Sequence, residues 1–366
     1  MLAPKTDFIG IEGVAHLAAG GETPMLRRHL DAAARFAEHK AGGMAGRDHF
    51  FAARERACTH LAAMLGLDAA DFALLGSSSQ GITQVVSSFD WQPGDSVVVG
   101  DIEFPSGLFG LARLRDLGVD VRVVAARDWY LDVEDLIAAC DTSTRLVYAS
   151  HVSYLTGQRL DLARLSAGVH AVGAALLVDA THGLGVVQVP GQYADFVVSS
   201  CYKWLLASHM GILAWNRRVR PAFTPLGVGW RSASAGPTPG SYHLHPDAIR
   251  AEAGNPNHLD VYMLDGALDY LAALGIDRIE AYILEQGRIL RDGLLRHGLA
   301  VITPATAHER AGNICIAHPD GESVARRAAA QGLLIWGGDG RIRLSVHCYV
   351  TPEDIALALD LLPGMV

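Results

Sequence analysis

The sequence predicts an α/β protein. Its large domain carries a mainly parallel, seven-stranded-type sheet sandwiched by helices, and a small α+β C-terminal domain follows. Three observations carry this. Short Val-rich runs alternate with helical stretches between residues 97 and 215, the pattern of βα units. Two of the runs, Ala175–Val178 and Phe196–Ser199, are apolar nearly throughout, as strands buried on both faces are. Composition then shifts at 224–258 to a stretch rich in Gly, Pro and Ser, which reads as loop and ends the sheet domain.

Taken in order, residues 22–40 have a helical pattern opening at Thr23-Pro24, a cap plus a first-turn proline. A second helix runs from Asp48 or His49 to Leu65 and stops at Gly66. The strand-like FALLG (72–76) leads into Ser77-Ser78-Ser79-Gln80-Gly81, which opens a helix to about Ser88. Strands are expected at Val97–Val99, Val121–Val124, Leu146–Ala149, Ala175–Val178, Phe196–Ser199 and Ile212–Trp215. Helices are expected near 106–117, 132–140 and 161–173. Beyond the loop, a helical stretch from Leu259 to His297 breaks near Gly275, and strand-like 313–318 and 341–346 alternate with helices near 321–331 and 352–361. The expected division is a large domain over 16–240 and a small domain made of 1–15 with 241–366.

At 366 residues, half of them hydrophobic and 19% charged, the chain is expected to be compact and not disordered. A net charge of -9 gives no basic footprint for nucleic acid. Cys58, Cys140, Cys201, Cys315 and Cys348 are scattered and odd in number, which suits free thiols in a reducing cytoplasm, and none has zinc-like spacing. The opening MLAPKTDFIG has no apolar signal region and no run is long enough to span a membrane, so a cytoplasmic location is expected.

Chemistry-bearing residues gather at the ends of the predicted strands, where open α/β sheets bind ligands. Asp179 ends one run, and the next leads through Ser200-Cys201-Tyr202 to Lys203. The chain has only three lysines, Lys5, Lys40 and Lys203. Lys203 either snorkels from the sheet edge or forms an imine, which arginine cannot do. Gly76-Ser77-Ser78-Ser79, between a strand and a helix, is either an ordinary N-cap or a phosphate cradle. Phe104, in Glu103-Phe104-Pro105-Ser106, is either a core ring or one that stacks on a flat ligand. Asp179, with His182 close by, either caps the following turn or neutralises a cationic ring nitrogen. Arg343, in RIRLSVHCY, belongs to a structural ion pair or to a carboxylate clamp. Together they call for a flat, phosphorylated, imine-forming cofactor, and pyridoxal 5′-phosphate has those properties. A dinucleotide lacks support, because no GxGxxG joins a strand to a helix.

With these motifs in this order, the chain resembles the fold-type I pyridoxal-phosphate enzymes, specifically the class V aminotransferase group. That group holds cysteine desulfurases, kynureninases, cysteine C–S lyases and some epimerases. The resemblance covers about residues 20 to 360. It implies that Lys203, in S-C-Y-K-W-L, is the Schiff-base lysine, that Asp179 in L-V-D-A-T-H pairs with the pyridine nitrogen, and that His182 faces the phenolic oxygen. Ser78 and Ser79 match the phosphate-binding pair, Ser200 and Tyr202 flank the lysine where further phosphate contacts lie, and Phe104 takes the stacking position. Gly254-Asn255-Pro256-Asn257 resembles the G-T-P-N segment, through which Asn255 would reach a partner subunit's cofactor, with Trp230 also from the neighbour. Arg343 to Thr351 resembles R-x-S-x-x-x-Y-N-T, whose arginine binds the substrate α-carboxylate. A homodimer with its site at the interface is implied.

Departures narrow the expectation. Desulfurases place a histidine where this chain has Phe104, and carry a catalytic loop cysteine where this chain has only Cys315, inside a predicted strand. Phe104-Pro105-Ser106, the 151–157 segment with Tyr154, and Tyr202-Lys203 look like the kynureninase branch, although Gly107 replaces that branch's aspartate. Asn255 and Val350 also depart from the usual threonine and asparagine. The expected substrate is an α-amino acid. The expected outcome is β-elimination from a cysteine conjugate or other β-substituted amino acid. Transamination, kynureninase-like hydrolysis and epimerisation stay open, as does a non-catalytic cofactor-binding regulator.

Overall fold

The computed structural model describes residues 1–366. Seven strands form the central sheet: β1 (Phe72–Leu75), β2 (Ser96–Gly100), β3 (Asp120–Val124), β4 (Thr144–Ser150), β5 (Ala175–Asp179), β6 (Phe196–Ser200) and β7 (Gly211–Trp215). Their order is β1-β7-β6-β5-β4-β2-β3, parallel except that β7 runs against both of its neighbours. The continuous apolar runs are explained by burial on both sides. Val98, Val147, Leu176, Val178 and Val197 face one core, and Val97, Val99, Leu146, Leu177 and Val198 face the other.

Helices cover both faces. The first are α1 (Arg28–Ala41), α2 (Arg47–Leu65), α3 (Ser78–Val86), α4 (Pro105–Ala112), α5 (Val133–Ala138) and α6 (Leu162–Ala171). The first helix starts five residues later than the Thr23-Pro24 pattern predicts. Thr23 donates its hydroxyl to the Tyr202 carbonyl at 2.8 Å, and Leu26 bridges Phe8, so this stretch is an extended strap. A tertiary partner has outcompeted the local cap. The helix expected at 106–117 tightens into a 3₁₀ turn at Arg113–Leu117.

The loop at 224–258 is not structureless: it holds a small antiparallel hairpin, β8 (Ala233–Ala235) with β9 (Tyr242–Leu244). The long helical stretch is α7 (His258–Leu274) and α8 (Ile276–Arg296), broken at Gly275, whose φ of 85° suits glycine. The C-terminal part adds β10 (Asn313–Ala317), α9 (Gly321–Ala329), β11 (Trp336–Gly338), β12 (Arg341–Ser345) and α10 (Pro352–Leu361). Strand β12 lies between β10 and β11 in an antiparallel sheet. The N-terminal segment joins this part: Ala15–His16 pairs with Leu333–Leu334, and Ala18 bridges Ser345. No helix is long and apolar enough to cross a membrane.

Candidate active site

Strands β4, β5 and β6 end side by side, and Asp179 is the register partner of Ser150. Above these ends lies a small cavity of about 90 Å³. Ser78, Ser79, Phe104, Tyr154, Asp179, His182, Ser200, Tyr202 and Lys203 all line it. The sequence placed these nine far apart, and the sheet brings them together.

Lys203 is 7% exposed and forms no ion pair, so it points inward and does not snorkel. Its nitrogen stands 5.3 Å from the centre of the Phe104 ring and 3.4 Å from Nε2 of His182. Burial, and then the positive charge of Arg343, lower its pKa to about 8. The amine is therefore far more nucleophilic near neutrality than a surface lysine.

Asp179 does not pair with His182. It accepts from the Tyr148 hydroxyl at 3.0 Å and from the Thr181 N–H at 2.8 Å, so it caps the following turn and also faces the cavity. Tyr148 in turn explains Gly107: a Cβ there would lie 2.3 Å from the Tyr148 ring, so α4 can pack on the tyrosine only through glycine. His182 is held neutral by burial and by the nearby charges of Lys203 and Arg343.

Ser77 caps α3 by accepting from the Gln80 N–H, which leaves the start of the helix open to the cavity. Ser78 Oγ meets Ser200 Oγ at 2.7 Å, and Ser79 Oγ meets Ser106 Oγ at 2.8 Å. Gly211 permits this closeness, since a Cβ there would sit 2.3 Å from the Ser78 nitrogen. Hydroxyls at a helix N-terminus suit a phosphate.

Arg343 is 3% exposed. One Nη1 donates to the Tyr154 carbonyl at 3.0 Å, and the buried Nε has no partner. No acid pairs with it, whereas its neighbour Arg341 pairs with Asp339 at 3.1 Å. The structural-ion-pair reading therefore falls away, and an unmatched guanidinium edge faces Gly20 and Gly21. Trp336 packs beneath both arginines, 4.4 and 5.0 Å from their centres.

Asn255 and Trp230 do not line this cavity. Both are exposed, Trp230 at 63%. Sequence reasoning missed Tyr148, Thr181, Ser150, Glu103, Asn313 and Arg341. Glu103 is buried against Ser150, accepting from its N–H at 2.7 Å and from its hydroxyl, and burial pushes its pKa up to about 7. Only Glu103, a lone acid before an aromatic and a proline, carried a local signal. Cys315 lies fully buried on β10, and no cysteine lines the cavity.

Several known proteins are similar to this chain in sequence and fold. A relative from Methanothermobacter thermautotrophicus named as a probable cysteine desulfurase is 28% identical over 317 residues, covering 79% of this chain and 78% of that protein. A kynureninase of Bacillus cereus is 25% identical over 380 residues, covering 96% of this chain and 88% of its own length. The solved structure of the cystine C–S lyase C-DES with its product cysteine persulfide superposes with a TM-score of 0.89. It shares 20% identity and the match covers 98% of this chain and 99% of that one, a likeness of fold. The family model described as Aminotransferase class-V matches residues 45–357, and the chain belongs to that family.

Proposed function

We propose that this chain is a pyridoxal 5′-phosphate-dependent enzyme that cleaves the C–S bond of cysteine conjugates or related β-substituted amino acids. The observation that carries the cofactor is a buried amine of lowered pKa in one cavity with a carboxylate, a stacking ring and a serine cradle. The donor set fits the group. Lys203 would hold its aldehyde carbon, Asp179 its ring nitrogen, Phe104 its face, and Ser78, Ser79, Ser200 and Tyr202 its phosphate side. When bound, it supplies an electrophilic carbon for amines and a ring that accepts electrons from the substrate α-carbon.

The chain's own residues do the rest. Arg343 grips the substrate carboxylate through its free edge. The unprotonated Lys203 Nζ takes the proton from the α-carbon. Asp179, fixed by Tyr148 and Thr181, is the residue that would meet the ring nitrogen. The thiolate leaves from the β-carbon and takes the proton that Lys203 Nζ removed, which returns the amine to its free form. With one water consumed, the products are a thiol, pyruvate and ammonium. No cysteine of the chain lines the cavity to take the sulfur, so the sulfur leaves with the product.

The kynureninase relative, which spans nearly the whole chain, favours one second reading, a kynureninase-like hydrolysis. We also read the active form as a cytoplasmic homodimer. The exposed Trp230 and Asn255 support a contribution from the neighbour, and five free cysteines support the location. The test is to add S-substituted cysteines to the cofactor-loaded protein and assay thiol, pyruvate and ammonium in equal amounts. Conversion of the cofactor to its amine form without pyruvate would make it an aminotransferase instead.

A further inference from the structure

We propose that Asn313 is a positioning residue: together with the Trp204 indole it fixes the tautomer of His182, and it couples that imidazole to the strand bearing Arg343. Asn313 opens β10 in the C-terminal part of the chain and pairs in register with Ser345 of β12, two residues from Arg343. It is fully buried, and its carboxamide reaches out of its own sheet to the cavity wall.

Two donors converge on one atom. Asn313 Nδ2 lies 3.0 Å from Nδ1 of His182, and the Trp204 indole Nε1 lies 3.3 Å from the same Nδ1. An indole N–H can only donate. Nδ1 therefore accepts and carries no proton, and the carboxamide must turn its NH₂ to the ring. That leaves Asn313 Oδ1 to accept from the Ser345 hydroxyl at 2.8 Å. With the imidazole held neutral by burial, its one proton is on Nε2, 3.4 Å from Lys203 Nζ. The hydrogen aimed at the lysine is thus set jointly by Trp204 and by a residue on the strand paired with that of Arg343.

Two glycines protect this link. A Cβ on Gly20 would lie 2.7 Å from Ser345 Oγ and 2.8 Å from Asn313 Oδ1, so backbone closes directly over the pair. Gly157, at a φ of 77°, would place a Cβ 2.3 Å from the Asn313 carbonyl oxygen. Side chains at either position would push Asn313 off the ring.

The proposal rests on Lys203 being the reacting amine, so its first test reads the imidazole itself without cofactor. Full-length protein labelled with ¹⁵N-histidine is examined by long-range ¹H–¹⁵N correlation, with His182 assigned by its loss in His182→Gln. The expected wild-type pattern is a single Nε2–H tautomer. Asn313→Asp replaces a donor by an acceptor and should move the proton to Nδ1 or charge the ring. Asn313→Ser in a Trp204→Phe background, where no obligate donor reaches Nδ1, should give both tautomers, and it decides the matter if the aspartate variant does not fold. A ring that keeps only Nε2–H in the folded variants would overturn the proposal. In cofactor-loaded protein, Asn313→Asp should raise the midpoint of the pH-dependent visible band by about one unit. An unmoved midpoint would overturn the link to Lys203. Absence of any band in the wild type would sink the cofactor reading and leave the tautomer result standing.

Discussion

The amine of Lys203 sits 5.3 Å over the ring of Phe104, in a cavity that also lowers its pKa to about 8. Burial is the larger cause and Arg343 the next. The amine is mostly protonated at pH 7 and mostly free at pH 9. Capture of pyridoxal phosphate by the cofactor-free protein should therefore accelerate through about pH 8 and level off above it. Stopped-flow absorbance at several pH values checks this. Arg343→Gln removes a repelling charge and should move the midpoint upward. Lys203→Ala should give no imine band and lose at least about 100-fold in activity.

Arg343 offers a buried, unmatched Nε beside Gly20 and Gly21. Truncating one partner of a desolvated charge contact costs about 2–5 kcal/mol. Arg343→Gln should then lower kcat/KM by at least about 30-fold, chiefly through KM. Arg343→Lys should rescue little, because an ammonium cannot present two parallel donors. Gly20→Ala would set a methyl 3.0 Å from Arg343 Nε and 2.8 Å from Asn313 Oδ1, and should raise KM in the same direction while also disturbing the cofactor end through Asn313. Steady-state kinetics with an equilibrium cofactor titration separates the two effects.

Much of the site was legible because its residues break local rules. Lys203 is one of three lysines and follows a buried strand, and Asp179 ends a run that is otherwise apolar. The strands were legible because both faces are buried, so no polar alternation interrupts them. What was hidden obeys local rules and gains its role only from register. Tyr148 reads as a core aromatic within LVYAS, yet its hydroxyl reaches Asp179 from the adjacent strand. Asn313 reads as the polar start of a strand, and only the packing of β10 against the cavity brings it to His182. The Thr23-Pro24 start was misread for the converse reason, since its hydroxyl is taken by the distant Tyr202 carbonyl.

Glu103 gives a pH signature of folding. Burial raises its pKa from about 4.5 to about 7, against two hydrogen bonds from Ser150 that pull it down. Between those values the folded chain holds a proton that the unfolded chain has released. Stability from this group is therefore greatest in acid and falls as pH rises through about 7. Glu103→Gln keeps an acceptor for the Ser150 N–H and a donor for its hydroxyl, without the charge. The wild-type advantage over this variant in urea unfolding should shrink from pH 5 to pH 8. A constant difference would mean that Glu103 stays ionised throughout.

The stability of the loop that carries Trp230 and Asn255 should hinge on Glu252. Its carboxylate, 1% exposed, accepts from Arg54 Nη2 at 2.5 Å, from Arg231 Nε at 2.6 Å and from the Leu74 N–H of edge strand β1 at 3.0 Å. One acid thus neutralises two largely buried guanidinium groups and seals a strand edge. Glu252→Ala leaves both cations uncompensated and should destabilise the fold by about 3–5 kcal/mol. Pairing it with Arg54→Met removes one stranded charge and should recover part of that loss, the opposite of what independent sites would give. Chemical denaturation of the two single variants and the double variant measures the coupling directly. Because the clasp sits next to Asn255, hydrogen exchange in Glu252→Ala should quicken across 227–257 by local opening, whereas β5 and β6 quicken only as far as the global loss of stability allows.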